Sequence, residues 1–378
     1  MTHIYKAAQV FDGWTLHPGA AVALDGDRIA ALYPAGTPLP PDADVTDLGP
    51  GLLTPGCVDL QVNGGGGEMV GTQTDLDQIA RICAAHQRLG ATAILPTLIS
   101  DTPDVTRQVI AAGIEATQAA IPGFAGLHLE GPHLDPARKG AHRADVLRPM
   151  EAADLDLLCH SAQTLPALMV TLAPEAVRND QIAALRAAGV IVSLGHTNCA
   201  AEVAKAAGAQ CATHLFNAMS GLSAREPGLI GAALASDMMC GIIADGVHVA
   251  RESLQIALRM KADDALFLVS DAMAAAGTSA DHFLLDNRRI LRRDGRLTLE
   301  NGTLAGADIS LPQSVAHLVQ LGVPPTRALA MASRIPADVI GASDRGRIQP
   351  GARADLLHLT DDFTPLRVCI SGRWSAET

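Results

Sequence analysis

Aromatic side chains are scarce in this chain. Phe, Trp and Tyr together make up 3% of its 378 residues. A core built without them must rely on aliphatic side chains and close backbone contacts, and 48% hydrophobic residues with 35 glycines supply both. Basic charge is also short. The 28 Lys and Arg stand against 40 Asp and Glu, the net charge is −12, and there is no basic run. Phosphate backbones and anionic bilayers call for the opposite sign, so nucleic acid and membrane surfaces are not expected partners. No apolar stretch is long enough to span a bilayer. The opening residues, MTHIYKAAQVFDG, lack the basic and apolar regions of a signal peptide. The seven cysteines are odd in number and none is spaced as CxxC. That pattern reads as reduced thiols in a core and a cytoplasmic protein. A GxGxxG after a first strand, a P-loop, a GxSxG elbow and an HExxH helix are absent as well.

What is present is alternation. Residues 4–11 read as a strand, and 20–24 with 28–32 flank Asp25-Gly26 as a hairpin. A Pro-rich stretch at 34–41 reads as a linker. From Leu52 the rhythm changes to short apolar runs separated by helical patterns. Strands are expected at 57–62, 93–98, 126–129, 168–172, 190–194, 211–216, 240–244 and 266–270. Helices are expected between them, for example at 76–89, 105–119, 181–188, 200–207 and 252–260. About eight βα repeats point to an α/β chain with a closed (β/α)₈ barrel of the TIM type. Residues 282–299 then read as strands turning at Asp294-Gly295, helices resume at 310–321 and 326–340, and the tail alternates again. The simplest organisation joins residues 1–52 and 344–378 in a small β-sandwich domain beside a catalytic barrel of 53–343.

In such a barrel reactive side chains sit at the C-terminal ends of strands. Gln61 and Asn63 share one face of the first strand. As neutral amides they are poor metal ligands, better suited to hydrogen-bonding water or substrate. Glu130 closes a later run and meets Gly131-Pro132, which forces a turn. A carboxylate there is costly unless it is paired or bound to a cation. His128 shares its face, and a satisfied core histidine is the commoner outcome for such a residue. His196 and His214 each close a run, eighteen residues apart. One βα repeat separates them, so they should be neighbours at one mouth. Two His and a Glu with an open position make the usual catalytic zinc-type set. Asp271 ends another run, where a carboxylate can take a proton from an activated water. The plainer alternatives are an ion-paired strand end for Glu130 and a turn or cap for Asp271.

At these residues the chain resembles the N-acetylglucosamine-6-phosphate deacetylases, a group within the amidohydrolase superfamily. The resemblance rests on TPGCVDLQVNGGGG (54–67), GLHLEGPHLDPARKGAH (126–142), the long segment from SLGHTN to SAREPG (193–228), CGIIADGVHV (240–249), LVSDAMAAAG (268–277) and GRIQPGARADLLHL (346–359). It implies an amidohydrolase-type barrel with one divalent metal per chain, held by Glu130, His196 and His214. It implies Asp271 as acid/base and His142, beside Ala141, as a hydrogen-bond donor to the acetamido carbonyl. Asn217 and Ala218 would line the sugar pocket, with Leu304, Ala305 and Gly306 in its wall. Arg225 and His248 would hold the 6-phosphate, the Arg reaching into the partner's site of a homodimer. Many amidohydrolases carry His-x-His at the first strand and bind two metals, whereas this chain has Gln61-x-Asn63. The site is therefore read as mononuclear. Zn²⁺ suits the donor set, and Fe²⁺, Co²⁺ or Mn²⁺ also fit it.

The expected reaction is metal-dependent hydrolysis of N-acetylglucosamine 6-phosphate to glucosamine 6-phosphate and acetate. The nearest alternative is the same chemistry on N-acetylgalactosamine 6-phosphate. A cyclic-amide hydrolase would want two metals, against Gln61 and Asn63. A non-catalytic sugar-phosphate sensor should have lost a ligand or the acid/base, and none is lost here.

Overall fold

The structure is a computed structural model that describes residues 3–375. Eight parallel strands form its centre: β1 (Cys57–Val62), β2 (Ala91–Ile99), β3 (Leu127–Glu130), β4 (Leu168–Leu172), β5 (Ile191–Leu194), β6 (Cys211–Ala212), β7 (Met239–Ile242) and β8 (Leu266–Leu268). They pair in chain order from β1 to β8. Nearly every residue in them is buried, as expected where helices cover one face and a packed interior the other. Helices α1 (Leu76–Arg88), α2 (Pro103–Gln118), α3 (Ala152–Ser161), α4 (Asn179–Ala187), α5 (Ala201–Ala207), α6 (Gly228–Leu234) and α7 (Arg251–Met260) follow the first seven strands in turn. After β8 comes a four-stranded antiparallel insert (His282–Leu285, Arg288–Arg293, Arg296–Leu299, Leu304–Ala307), and only then α8 (Leu311–Gln320). The fold is thus the barrel expected from the βα rhythm.

The seam between β8 and β1 has no strand ladder. One bridge joins Val62 to Ala272, with the Asn63 N–H donating to the Ala272 carbonyl at 2.8 Å. Deeper in the seam a side chain does the joining. Asp59 Oδ1 accepts the N–H of Ser270 at 3.2 Å and that of Gln61 at 3.3 Å. The buried carboxylate thus accepts an N–H from each side of the seam.

Both chain ends build a sandwich beside the barrel. One sheet orders Arg28–Tyr33, Ala21–Asp25, His3–Lys6 and Asp44–Asp47. The other places Leu52–Pro55 between Leu356–Leu359 and Gln9–Phe11. Tyr5, Val22, Ile29, Leu53, Leu356 and Cys369 share a core between them. The strand expected at 4–11 is broken at Ala7-Ala8, because His3–Lys6 belongs to the first sheet and Gln9–Phe11 to the second. The Pro-rich stretch is a loop within the first sheet, since Asp44–Asp47 returns to pair with His3–Lys6. Residues 1–2 and 376–378 lie outside the described residues. No helix among the described residues is long and apolar enough to cross a membrane.

Burial pushes the Asp59 carboxyl up to about 7, against the hydrogen bonds from Ser270 and Gln61 that favour its charge. The folded protein then binds this proton more tightly than the unfolded chain does. Its contribution to stability is full below about pH 4 and is lost as pH rises through about 7. Asp59→Asn, which mimics the protonated acid, should therefore lose less melting temperature between pH 5 and pH 8 than the wild type loses. Parallel melting curves across that range would show that Asp59 does not titrate there.

Candidate active site

Glu130, the last residue of β3, is only 3% exposed. A carboxylate so buried needs partners. Three nitrogens approach its Oε1: Gln61 Nε2 at 3.0 Å, His214 Nε2 at 3.0 Å and His196 Nε2 at 3.3 Å. The two imidazole nitrogens are themselves 3.1 Å apart. His142 Nε2 lies 3.6 Å from Oε2. Burial would raise the Glu130 pKa, but the three imidazoles hold it well below the carboxylate range. Burial lowers His214, contact with Glu130 outweighs it, and the net shift is upward.

The second nitrogen of each ring decides what the first can do. His196 Nδ1 lies 2.8 Å from the Arg138 carbonyl, which can only accept. The proton belongs on Nδ1, and Nε2 offers a lone pair to the site. His142 is the reverse. The Ser100 N–H donates to its Nδ1 at 3.2 Å, so its proton sits on Nε2 and faces the site. Burial pushes His142 down to about 4, which keeps it neutral near pH 7. Glu130, His142 and His196 are close enough to share an ion, yet this tautomer makes His142 a donor of a hydrogen bond, not of an electron pair. His214 Nδ1 is buried without a partner among the described residues, leaving Nε2 as its working atom. Glu130, His196 and His214 fit a divalent cation. Their polar atoms converge at 3.0–3.3 Å, a spacing at which a proton, or a cation in its place, must sit between them.

Backbone strain brings these groups together. His196, His214 and Asp271 have φ of 48°, 30° and 48°, and each lies two or three residues beyond its strand. Non-glycine residues seldom adopt this left-handed region, and such strain gathers at functional sites. The expected strand 211–216 accordingly stops at Ala212, because His214 and Phe216 (φ 81°) turn the chain. Gly131, next to Glu130, has φ 87°, and a Cβ there would lie 2.1 Å from Ser100 Oγ. Any side chain would displace the residue that orients His142.

Asp271 faces the set from β8. Asn63 Nδ2 donates to its Oδ1 at 2.7 Å. Burial, then the nearby Glu130 charge, push it up to about 6, while His214, His248 and Asn63 pull the other way. His248 is held by Asp245, whose Oδ2 lies 2.6 Å from Nδ1. That leaves Nε2 as the free polar atom of the ring.

A cavity of about 250 Å³ takes in Asn63, Glu130, Ala141, His142, His196, His214, Asn217, Ala218, His248, Asp271, Leu304 and Gly306. Three of the expected residues are not on it. Gln61 lies beneath, bound to Glu130. Ala305 points back into the small core of the insert, fully buried, while its neighbours Leu304 and Gly306 face the cavity. Arg225 is exposed in the loop before α6, away from the cavity of its own chain. It has no ion pair among the described residues, for Glu226 is engaged by the N–H groups of Ala201 and Gly228. His128 is the satisfied core histidine, held by the Leu60 carbonyl and by Thr171 Oγ1. Residue reasoning passed over Ser100, Ile99, Ile243, Met273 and Leu285. Ser100 follows an apolar run just as the chosen residues do, but it is not a type sought as a ligand or base.

A profile of the amidohydrolase family matches residues 52–375, and the chain belongs to that family. It is 40% identical over 327 residues to an N-acetylgalactosamine-6-phosphate deacetylase of Shewanella sp. (strain ANA-3), covering 85% of this chain and 82% of the relative. It is 34% identical to an N-acetylglucosamine-6-phosphate deacetylase of Haemophilus influenzae, covering 94% of each. The crystal structure of N-acetylglucosamine-6-phosphate deacetylase from Pasteurella multocida superposes with a TM-score of 0.95 at 34% identity, covering 100% of both chains.

Metal analysis of the purified protein should find one tightly held divalent ion per chain. His214→Ala should lose metal and activity together. Two ions per chain at full occupancy would contradict a set in which Gln61 and Asn63 act as donors of hydrogen bonds.

Proposed function

We propose that this protein hydrolyses the acetamido group of N-acetylglucosamine 6-phosphate, releasing acetate and glucosamine 6-phosphate. The observation that carries this reading is the convergence on one cavity of three kinds of group: an electron-pair set, a neutral His donor and a carboxylate poised near pH 6. Glu130, His196 and His214 would hold the metal, with Zn²⁺ the first choice for a His₂Glu set. A divalent ion there would supply Lewis acidity, lowering the pKa of water so that it can give up a proton near neutral pH. His142 donates its Nε2–H to the amide carbonyl and stabilises the negative charge that develops on that oxygen. Asp271, steadied by Asn63, takes a proton from the attacking water and returns it to the leaving nitrogen as the C–N bond breaks. Asn217, Ala218, Ala141, Leu304 and Gly306 line the sugar, and His248 receives the phosphate. Arg225 completes the phosphate site of a partner chain in a homodimer. We assign residues 1–52 and 344–378 to the sandwich and 53–343 to the catalytic barrel. A cytoplasmic setting is part of the same reading, supported by seven unpaired thiols, six of them buried.

The 40% identity to the Shewanella enzyme favours a second reading, the galacto isomer as substrate. The two sugars differ at one hydroxyl and share every step above. Acetate release from both 6-phosphates and from unphosphorylated N-acetylglucosamine tests the proposal. Release from neither phosphate would reject it.

Asp271→Asn should keep its metal and substrate but lose about 10²–10⁴-fold in kcat, since the amide cannot accept the proton. Near wild-type turnover would remove Asp271 from the reaction.

Arg225→Ala should lose about tenfold or more in kcat/KM on the phosphorylated sugar and little on the unphosphorylated one. Mixed with Asp271→Asn under conditions of subunit exchange, it should regain activity, because a hybrid dimer holds one intact site. No recovery despite proven exchange would confine the Arg to its own chain.

A further inference from the structure

A second cavity, of about 920 Å³, lies beside the first. Ile99, at the end of β2, and Leu285, at the end of the first strand of the insert, line both cavities. Ile99 packs against the small apolar cluster that contains Leu285 and Met273. The partition between the two spaces therefore includes these two apolar side chains, one from the barrel and one from the insert.

The order of groups along the site gives the partition a meaning. Ser100, which orients His142, lines the second cavity, whereas His248 lines only the first. His142 thus marks the end near the partition, and His248 marks the other end. On the function proposed above, on which this inference rests, the amide carbonyl meets His142 and the 6-phosphate meets His248. In a pyranose ring C2 and C5 stand across from each other. The acyl group on C2 and the phosphate carried beyond C5 therefore leave the ring in opposite directions. With the phosphate at His248, the acyl tail faces Ile99 and Leu285.

We propose that Ile99 and Leu285 set the length of N-acyl group this enzyme accepts, and that the cavity behind them is the room into which a longer aliphatic tail extends. Met69, Val70 and Phe283 offer apolar surface there for the added methylenes. The hydrolysis is unchanged: water adds to the acyl carbon, the C–N bond breaks, and the longer carboxylate leaves.

The test compares kcat/KM of the metal-loaded enzyme on N-acetyl, N-propionyl and N-butyryl hexosamine 6-phosphates, using whichever hexose the wild type prefers. The wild type should lose roughly tenfold or more for each added methylene. Ile99→Ala and Leu285→Ala should each raise the butyryl-to-acetyl ratio at least tenfold. Ile99→Phe narrows the opening instead, so it stays informative where a truncation destabilises the fold, and it should lower the propionyl-to-acetyl ratio. Ratios equal to the wild type in the folded variants would overturn the proposal. So would variants that gain on 1-O-methyl glycosides and not on longer acyl chains, since the cavity would then face C1. If the wild type releases no acetate from either 6-phosphate, the functional reading itself fails, a result distinct from active variants with unchanged selectivity.

Discussion

Glu130 is almost wholly buried at the mouth of the barrel, yet it stays ionised because imidazoles surround it. One of its oxygens takes the approach of Gln61, His196 and His214, and the other faces His142. Each of those groups is oriented in turn by something outside the cluster, His196 by the Arg138 carbonyl and His142 by Ser100. The charge on Glu130 also helps keep Asp271 less acidic than an ordinary carboxylate. On the proposed function, one desolvated negative charge would both favour a positive ion among Glu130, His196 and His214 and raise the proton affinity of Asp271 opposite them.

Below that charge the barrel interior carries a polar chain among its apolar side chains. Ser193, Thr213, Thr171 and His128 form a chain of contacts of 2.6–2.9 Å that ends at the Leu60 carbonyl. That carbonyl accepts from His128 Nδ1, so Thr171 donates to Nε2, and the hydroxyls pass the direction on toward Ser193. The chain ties β1, β3, β4, β5 and β6 together under the ligand residues. Such a network is stable only when every member is satisfied, and it leaves little freedom for the backbone that carries His196 and His214.

Much of this was legible in the residues. Cys57–Val62 and Leu168–Leu172 coincide with their expected spans, because both are short, largely apolar segments even though Asp59, Gln61 and Thr171 interrupt them. The pairing of His196 with His214 followed from one βα repeat, and the 3.1 Å between them agrees with it. What stayed hidden depends on backbone turns and on distant partners. Local pattern carried strand β6 through His214, and only a left-handed φ ends it at Ala212. The tautomer of His142 depends on Ser100, 42 residues away, and the place of Gln61 on Glu130, 69 residues away. Ile99 and Leu285 were not singled out at all, for their place between two cavities depends on the meeting of barrel and insert.

Gln61 and Asn63 show how one strand can change the character of a site without moving it. An amide nitrogen has no free electron pair for a cation and can only donate. Gln61 donates to Glu130 and Asn63 to Asp271, so β1 contributes two hydrogen bonds to carboxylates where imidazoles would contribute two ligands. With amides in place, the carboxylate keeps an oxygen for a proton, while burial and the Glu130 charge raise its affinity for one.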